Sequence, residues 1–235
     1  MYGYGFGYYL DPTMLIVLPG LLLAMWAQWR ISATFRKYAQ VNAQRGLPAA
    51  EVARELLAQS GITDVEVTRV RGHLTDHFDP RTNTLALSDG VYGSASLAAL
   101  GIAAHEVGHV VQQQEGYAPL RLRAAFVPVA SVASHAAVPL FFLGLIMSWQ
   151  PLMWIGIGVF MAVVLFYLVT LPVEFNASSR AIAALESGGF LTYEEARPAK
   201  KVLSAAGLTY VAAALQAFLQ LLRLLVIAGG RRRRD

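Results

Sequence analysis

Hydrophobic residues gather in four long runs, and one long polar stretch separates the first run from the second. The runs cover about Thr13 to Trp29, Phe126 to Met147, Leu152 to Leu171, and Val202 to Ala228. A membrane-spanning helix needs about 20 mostly apolar residues, so the first three runs predict three transmembrane helices. The uncharged link between the second and third runs, residues 148–151, predicts a tight hairpin.

The fourth run contains a polar stripe, because Gln216, Gln220 and Arg223 recur at helical spacing. Two interpretations are open: an amphipathic helix lying in the membrane interface or against the polar domain, or a fourth span that turns this stripe toward a polar interior. Basic residues lie at both ends of the run, Lys200 and Lys201 before it and Arg231 to Arg234 after it. A single span would separate these clusters, which favours the interface helix.

The polar stretch, residues 31–124, predicts a small α+β domain. Pro48 to Ser60 is typical of a short helix that ends at Gly61. Alternating residues predict three strands, at Ile62 to Val70, Leu74 to Phe78 and Thr84 to Ser88. A longer helix should begin after Ser94 or Ser96, either of which can cap it, and end at about Glu115, before Gly116. The chain is therefore expected to be a mainly α membrane protein that carries this small domain.

Composition agrees with a membrane protein, since 56% of the residues are hydrophobic and only 14% are charged. The chain has no cysteine, which excludes disulfides and thiolate metal sites. The net charge is a modest +4 and the basic tail is expected to meet anionic lipid, so no nucleic-acid partner is expected. Basic residues follow the first run and none precedes it, which places the amino terminus outside and residues 31–124 in the cytoplasm.

The long helix of the polar domain contains the sequence HEVGH. His105 and His109 lie one helical turn apart on the same face, with Glu106 at its edge. Two imidazoles at this spacing can bind one tetrahedral zinc ion, and the glutamate can act as general base on a water molecule. The motif predicts a zinc hydrolase.

A catalytic zinc ion usually takes three protein ligands, so a third is needed. Glu174 is the best candidate, because it is the first acidic residue after two uncharged spans and emerges on the predicted cytoplasmic side. We expect it to open a helix that runs through Leu185. A carboxylate at the start of a helix could also serve only to stabilise the helix dipole. Glu115 and Glu186 are weaker candidates. His73 and His77 flank a predicted turn and are expected to face solvent.

Several motifs together resemble one protein family over nearly the whole chain. They are the aromatic start with Asp11-Pro12, then DHFDP, TLALSDGVYG, AAHEVGHVVQ and LPVEFNASSRA. This combination is similar to the bacterial membrane neutral zinc metallopeptidase family (YugP-like), and more distantly to gluzincin membrane proteases of the HtpX and CaaX prenyl protease type. The resemblance implies a gluzincin-like catalytic domain, Zn²⁺ held by His105, His109 and Glu174, and Glu106 as general base.

The resemblance departs from the gluzincin pattern at one position. Many gluzincins carry an aspartate four residues after the glutamate ligand, where it orients a ligating histidine. Ser178 stands at that position here, and Asn176 lies two residues after Glu174. Either could take the orienting role. The donor that stabilises the oxyanion of the reaction is open among Tyr193, Tyr210, Arg180 and His135.

The strand before the motif helix, formed by Thr84, Leu85, Ala86 and Leu87, could bind substrate by strand addition or be an internal strand of the sheet. The expected function is a membrane-embedded endopeptidase at the cytoplasmic face of the bacterial inner membrane, with protein or peptide substrates. The alternative is a zinc-containing membrane scaffold that does not cleave. An ion transporter is disfavoured, because His135 alone clearly places an ionisable group within an apolar run. Oligomeric state cannot be read from the sequence.

These expectations divide the chain into five segments. They are a membrane anchor at 1–30, the catalytic domain at 31–124, a transmembrane hairpin at 125–171, a third-ligand helix at 172–200, and a membrane-associated helix with its basic tail at 201–235.

Overall fold

Seven helices and three strands make up the fold, as seen in a computed structural model that describes residues 11–231, with side chains to residue 230. The aromatic start at residues 1–9 and the basic tail after residue 231 lie outside these residues. The helices are α1 (Met14–Tyr38), α2 (Ala49–Gln59), α3 (Asp89–Tyr92), α4 (Leu97–Gln114), α5 (Ala118–Ile146), α6 (Gln150–Ser187) and α7 (Tyr193–Arg231). The strands are β1 (Glu66–Val70), β2 (His77–Asp79) and β3 (Thr84–Ser88).

The three strands form one small sheet in the order β1-β3-β2. β3 runs parallel to β1 and antiparallel to β2. β3 has the predicted bounds, whereas β1 and β2 begin about three to four residues later than predicted. The reason at β2 is local, since Leu74 has a positive φ of 56° and the Asp76 carboxylate accepts hydrogen bonds from the backbone and hydroxyl of Ser88. Residues 74–76 therefore form a loop that leads into the strand.

Helix α4 passes through the centre of the polar domain. The Ser96 side chain caps it by accepting a hydrogen bond from the Ala99 amide, and Gly116 follows its end with a φ of 63°. Leu100, Val107 and Val110 are buried against α2, the sheet and the inner ends of α6 and α7. Helix α4 can hold its polar motif inside the domain because the other faces of the helix are apolar.

Four helices, α1, α5, α6 and α7, are long and apolar enough to cross a membrane. Together with the small sheet, they confirm a mainly α membrane protein. The protein departs from the predictions in α6, which continues unbroken through Pro172 to Ser187. Glu174 therefore does not open a new helix, and stabilisation of a helix start cannot explain it. The buried face of α6 runs on without a break through Val173, Ala177, Ala181 and Leu185, so the span extends directly into the polar domain.

The fourth apolar run belongs to a single helix, α7, which packs along α1. Its polar stripe faces the protein interior. Arg223 is buried and donates hydrogen bonds to Asp11 and Thr13 at the start of α1, both at 3.0 Å, and Gln216 lies against Gly20. The structure thus favours a fourth span over the interface helix, because α7 is long and apolar enough to cross a membrane and Arg223 finds its partners within the protein.

The end of α7 and the start of α1 lie at the same end of the molecule, opposite the polar domain. The predicted boundaries near residues 30, 124, 171 and 200 all fall within continuous helices, α1, α5, α6 and α7. The division into five segments stays a prediction.

Candidate metal centre

Two helices bring the three predicted zinc ligands together. His105 and His109 project from α4, and Glu174 projects from α6. Their ligand atoms lie within 4.8 Å of one another. The Glu174 Oε2 atom is 3.3 Å from His105 Nε2 and 3.7 Å from His109 Nε2. Residues far apart in the chain thus present two nitrogens and one oxygen to a common point.

The close approach of α4 and α6 depends on Gly108. A β-carbon at this position would lie 2.7 Å from the carbonyl oxygen of Ala177, which belongs to the backbone of α6. The absence of a side chain at Gly108 therefore lets the two helix backbones meet within the motif itself. Glu174 lies one turn before Ala177, so this contact sets its distance from the histidines.

The environment of these atoms suits a cation. The Glu174 carboxylate is buried, and its Oε2 atom has no hydrogen-bond partner among the described residues. Its Oε1 atom accepts a hydrogen bond from Arg123 at 3.0 Å. Burial opposes protonation of His109, but the carboxylates of Glu174 and Glu106 raise its pKa above the ordinary value. An orphaned carboxylate oxygen between two imidazoles, in a field that favours positive charge, is a donor set that zinc accepts.

Each histidine has a partner on the side away from this point. Ser178 Oγ lies 3.1 Å from His105 Nδ1, and Gln112 Oε1 lies 3.0 Å from His109 Nδ1. With Nε2 turned toward the metal position, each Nδ1 would carry its proton and donate to these oxygens. Ser178 and Gln112 thus fix the orientation of the two rings.

Gln112 is itself held by a chain of hydrogen bonds. Its Nε2 atom donates to the carbonyl oxygen of Val173 and to Asn176 Oδ1, each at 2.9 Å. Arg180 donates to the same Asn176 oxygen at 2.8 Å and forms a bidentate pair with Glu115. This series of hydrogen bonds joins α4 to α6 beside His109.

Glu106 lies in the walls of two cavities at this site, one lined by His105 and Glu174 and the other by all three ligand residues. They have volumes of about 310 and 340 Å³. Glu106 is buried, with 8% of its surface exposed, and Asp76 and Tyr210 line both cavities with it. A carboxylate beside the ligands and a phenol hydroxyl facing the same space are the groups that hydrolysis of a carbonyl compound needs.

The other residues singled out in the sequence lie elsewhere. Tyr193 is 72% exposed and lines a separate cavity, and Glu186 lines that cavity too. His135 is exposed on α5 and bonded to the carbonyl oxygen of Ser131. His73 and His77 are exposed, as expected, although His77 reaches the rim of the 340 Å³ cavity. Glu115 pairs with Arg180 and does not belong to the ligand cluster.

The position of Thr84–Leu87 in the sheet speaks against strand addition. These residues belong to β3, the central strand, where Thr84, Leu85 and Ala86 pair with both neighbours and Leu87 pairs with β1. The second interpretation, an internal strand, is the one that the structure supports. Within residues 11–231, β2 pairs on one side only, and its residues His77 and Phe78 line the 340 Å³ cavity.

Sequence reasoning missed three residues of the site. Gln112 was overlooked, although a buried glutamine three residues after a ligating histidine shares its helix face. Arg123 belongs to no motif and stands in the sequence only as a basic residue before an apolar run. Asp76 lies in a loop, and no pattern in the sequence indicates its bonds to Ser88.

Comparison with known proteins gives one family and one curated relative. Residues 13–229 match the family described as "Putative neutral zinc metallopeptidase". The chain is 46% identical over 212 residues to "Putative membrane protease YugP" from Bacillus subtilis (strain 168), which covers 90% of this chain and 94% of that protein. No solved structure gives a significant match.

Proposed function

We propose, since the chain belongs to the family of neutral zinc metallopeptidases, that it is a membrane-embedded endopeptidase that hydrolyses peptide bonds at the cytoplasmic membrane face. One observation carries the proposal. Two histidines of α4 and a glutamate of α6 converge on a point, and Glu106 lines the 340 Å³ cavity together with all three of them.

In this proposal His105, His109 and Glu174 hold the zinc ion. A zinc ion held there would supply Lewis-acid chemistry for activating water and polarising a carbonyl group. Glu106 takes the proton from the attacking water and delivers it to the nitrogen of the leaving amine. Glu106 is placed for both transfers, since it lines two cavities together with His105 and Glu174.

Tyr210 is the best-placed donor to the oxyanion. It lines both cavities beside Glu106 and Glu174, whereas Tyr193 and His135 lie away from the ligands and Arg180 is bound to Glu115 and Asn176. Its hydroxyl would donate a hydrogen bond to the carbonyl oxygen as negative charge develops there.

The free edge of β2 is the proposed place for the substrate backbone. β2 lies at the rim of the 340 Å³ cavity, and an extended peptide can pair with such an edge through backbone hydrogen bonds. This mode reads little of the side-chain sequence, which suits an endopeptidase acting on unfolded segments.

The cytoplasmic placement of the site follows from the basic residues at the inner ends of the spans. The positive-inside rule applies to residues close to span ends. On the side of the catalytic domain these are Arg30, Arg36, Lys37, Arg121, Arg123, Lys200 and Lys201. They outnumber the four arginines at the other end of α7, Arg231 to Arg234.

The chain has no cysteine, so single cysteines can test this placement cleanly. Arg81→Cys lies in the catalytic domain and Ser148→Cys lies at the tip of the α5–α6 hairpin. In intact cells an impermeant maleimide should label the hairpin cysteine alone. Labelling of Arg81→Cys alone would place the active site on the outer face.

Replacement of Glu106 by glutamine tests the enzymatic function. Wild-type protein and Glu106→Gln, purified in detergent, should contain equal zinc by elemental analysis. Only the wild type should cleave an unfolded protein, because glutamine cannot accept the proton. Equal zinc with no cleavage by the wild type would favour the non-cleaving scaffold, whereas equal cleavage by both proteins would remove Glu106 from the mechanism.

A further inference from the structure

A large cavity lies apart from the metal centre. It has a volume of about 850 Å³ and opens between the second half of α1, the end of α6 and the start of α7. It lies just beyond the apolar runs of α1 and α7, since Trp29 ends the run of α1 and Lys200 and Lys201 precede that of α7. The cavity thus lies at the level of the lipid headgroups on the side of the catalytic domain.

The walls of this cavity are strongly basic. They carry five cationic side chains and one carboxylate, that of Glu186. The cations are Arg30, Lys37, Arg197, Lys200 and Lys201. Arg197 has an acidic neighbour, Glu194, at 3.8 Å. In the part of the chain from residue 11 to residue 230, the other four cations have no carboxylate within ion-pair distance. A concave surface with this excess of positive charge favours the binding of an anion.

Aromatic side chains complete the cavity. Trp29, Tyr38 and Tyr193 line it together with the cations. Tryptophan and tyrosine favour the boundary between headgroups and hydrocarbon. A site for a freely soluble anion would not need them, whereas a lipid headgroup meets both kinds of side chain at once.

A second cavity continues the first toward the membrane. It measures about 450 Å³ and shares Ile182, Glu186, Lys200 and Ser204 with the basic cavity. Phe175 and Leu203 line the second cavity but not the first, and Leu203 also lines the 310 Å³ cavity. Leu203 lies one turn further than Lys200 into the apolar run of α7, and Phe175 lies two turns closer than Ile182 to that of α6. An acyl chain can therefore leave the basic cavity along an apolar wall.

We propose that these two cavities form a binding site for an anionic phospholipid, with the phosphate among the basic residues and an acyl chain along Phe175 and Leu203. A lipid bound there would hold the catalytic domain at the membrane surface, in addition to the transmembrane helices. The site does not depend on the metal centre, and it would stand even if the chain cleaved no peptide bond.

Native mass spectrometry of the zinc-loaded full chain in a nonionic detergent tests the proposal. The protein is titrated with phosphatidylglycerol, with phosphatidylcholine of the same acyl chains, and with glycerol 3-phosphate. Phosphatidylglycerol should bind with a stoichiometry of one and far more tightly than phosphatidylcholine. Glycerol 3-phosphate should neither bind detectably nor displace the lipid, because it lacks the acyl chain.

Charge-removing variants locate the site. The triple variant Lys37→Gln, Lys200→Gln, Lys201→Gln should bind phosphatidylglycerol at least about tenfold more weakly, since each basic residue near an anionic lipid contributes to binding. A control, Arg36→Gln, Arg71→Gln, Arg81→Gln, removes the same charge outside the cavity and should bind as the wild type does. Arginine at the three cavity positions should also preserve binding, which separates charge from misfolding.

Three results would overturn the site. One is equal affinity of the wild type for the two lipids. Another is an equal loss of binding in the cavity variant and the control variant. The third is tight binding of glycerol 3-phosphate, which would make the cavity a site for a soluble phosphate.

Discussion

The carbonyl oxygen of Ala177 on α6 lies 2.7 Å from the place that a β-carbon of Gly108 would occupy on α4. This contact joins the middle of the motif helix to the helix that delivers Glu174. No flexible side chain separates the two backbones, so a larger residue at position 108 must push the helices apart.

Gly108→Ala should therefore weaken zinc binding by more than tenfold, because separation of the helices moves Glu174 away from His105 and His109. Overpacking of this kind also costs about 1–3 kcal/mol of stability. A chelator competition titration measures the affinity, and thermal unfolding measures the stability. Gly101→Ala is the matched control, since a β-carbon there would meet Ala199 at 3.4 Å, an ordinary contact. Equal zinc affinity of the two variants would show that the close approach is not needed.

Gln112→Leu should weaken zinc binding by about 10–100-fold, as removal of partners of metal-ligating histidines usually does. The variant loses the acceptor for His109 Nδ1 and leaves the carbonyl oxygen of Val173 without its donor. Gln114→Leu, an exposed position on the same helix, should keep the wild-type affinity. Unchanged affinity in Gln112→Leu would mean that the ring of His109 is positioned by packing alone.

Tyr210→Phe should lower kcat by about 100-fold or more, the usual cost of removing one oxyanion donor, and leave the zinc content unchanged. Steady-state cleavage of a fluorogenic peptide measures kcat, and elemental analysis measures zinc. Tyr193→Phe, at an exposed position in another cavity, should change neither. A full kcat in Tyr210→Phe would assign the donor to another group.

The pair of Glu115 and Arg180 predicts a pH dependence of stability. Hydrogen bonds from Arg180 lower the pKa of Glu115 below its ordinary value of 4.5. A lowered pKa in the folded state means that the carboxylate stabilises the protein above pH 4.5 and loses this effect as the pH falls through the lowered pKa. In zinc-free protein, Glu115→Gln should unfold at a lower temperature than the wild type at neutral pH. The difference should disappear in acid, and a difference that persists there would contradict the assignment.

How far the sequence predicts this protein depends on the range of the interactions involved. Helix α4, its Ser96 cap and β3 follow from local patterns, and the spacing of His105 and His109 follows from helix geometry alone. Glu174 was identified from its place after two uncharged spans. Its location within a continuous helix was missed, because Pro172 and a change to polar residues resemble a helix boundary.

The remaining features depend on contacts between distant segments. The polar stripe of α7 is stabilised by Asp11 and Thr13, more than 200 residues away, so the sequence could not decide between an interface helix and a span. Arg123 and Asp76 likewise gain their roles only when α5 and the loop before β2 fold against the ligands. Local patterns predict which elements form, whereas the partners of isolated polar residues are set by the fold.

The zinc content of a Glu174→Ala variant tests the metal centre most directly. The wild type should bind one zinc ion per chain, and Glu174→Ala should bind it more than about 100-fold more weakly, because loss of a ligand exceeds the cost of losing a ligand's partner. Glu186→Ala, on the same helix but away from the ligands, should bind zinc as the wild type does. Full zinc occupancy and unchanged affinity in Glu174→Ala would contradict the three-ligand centre.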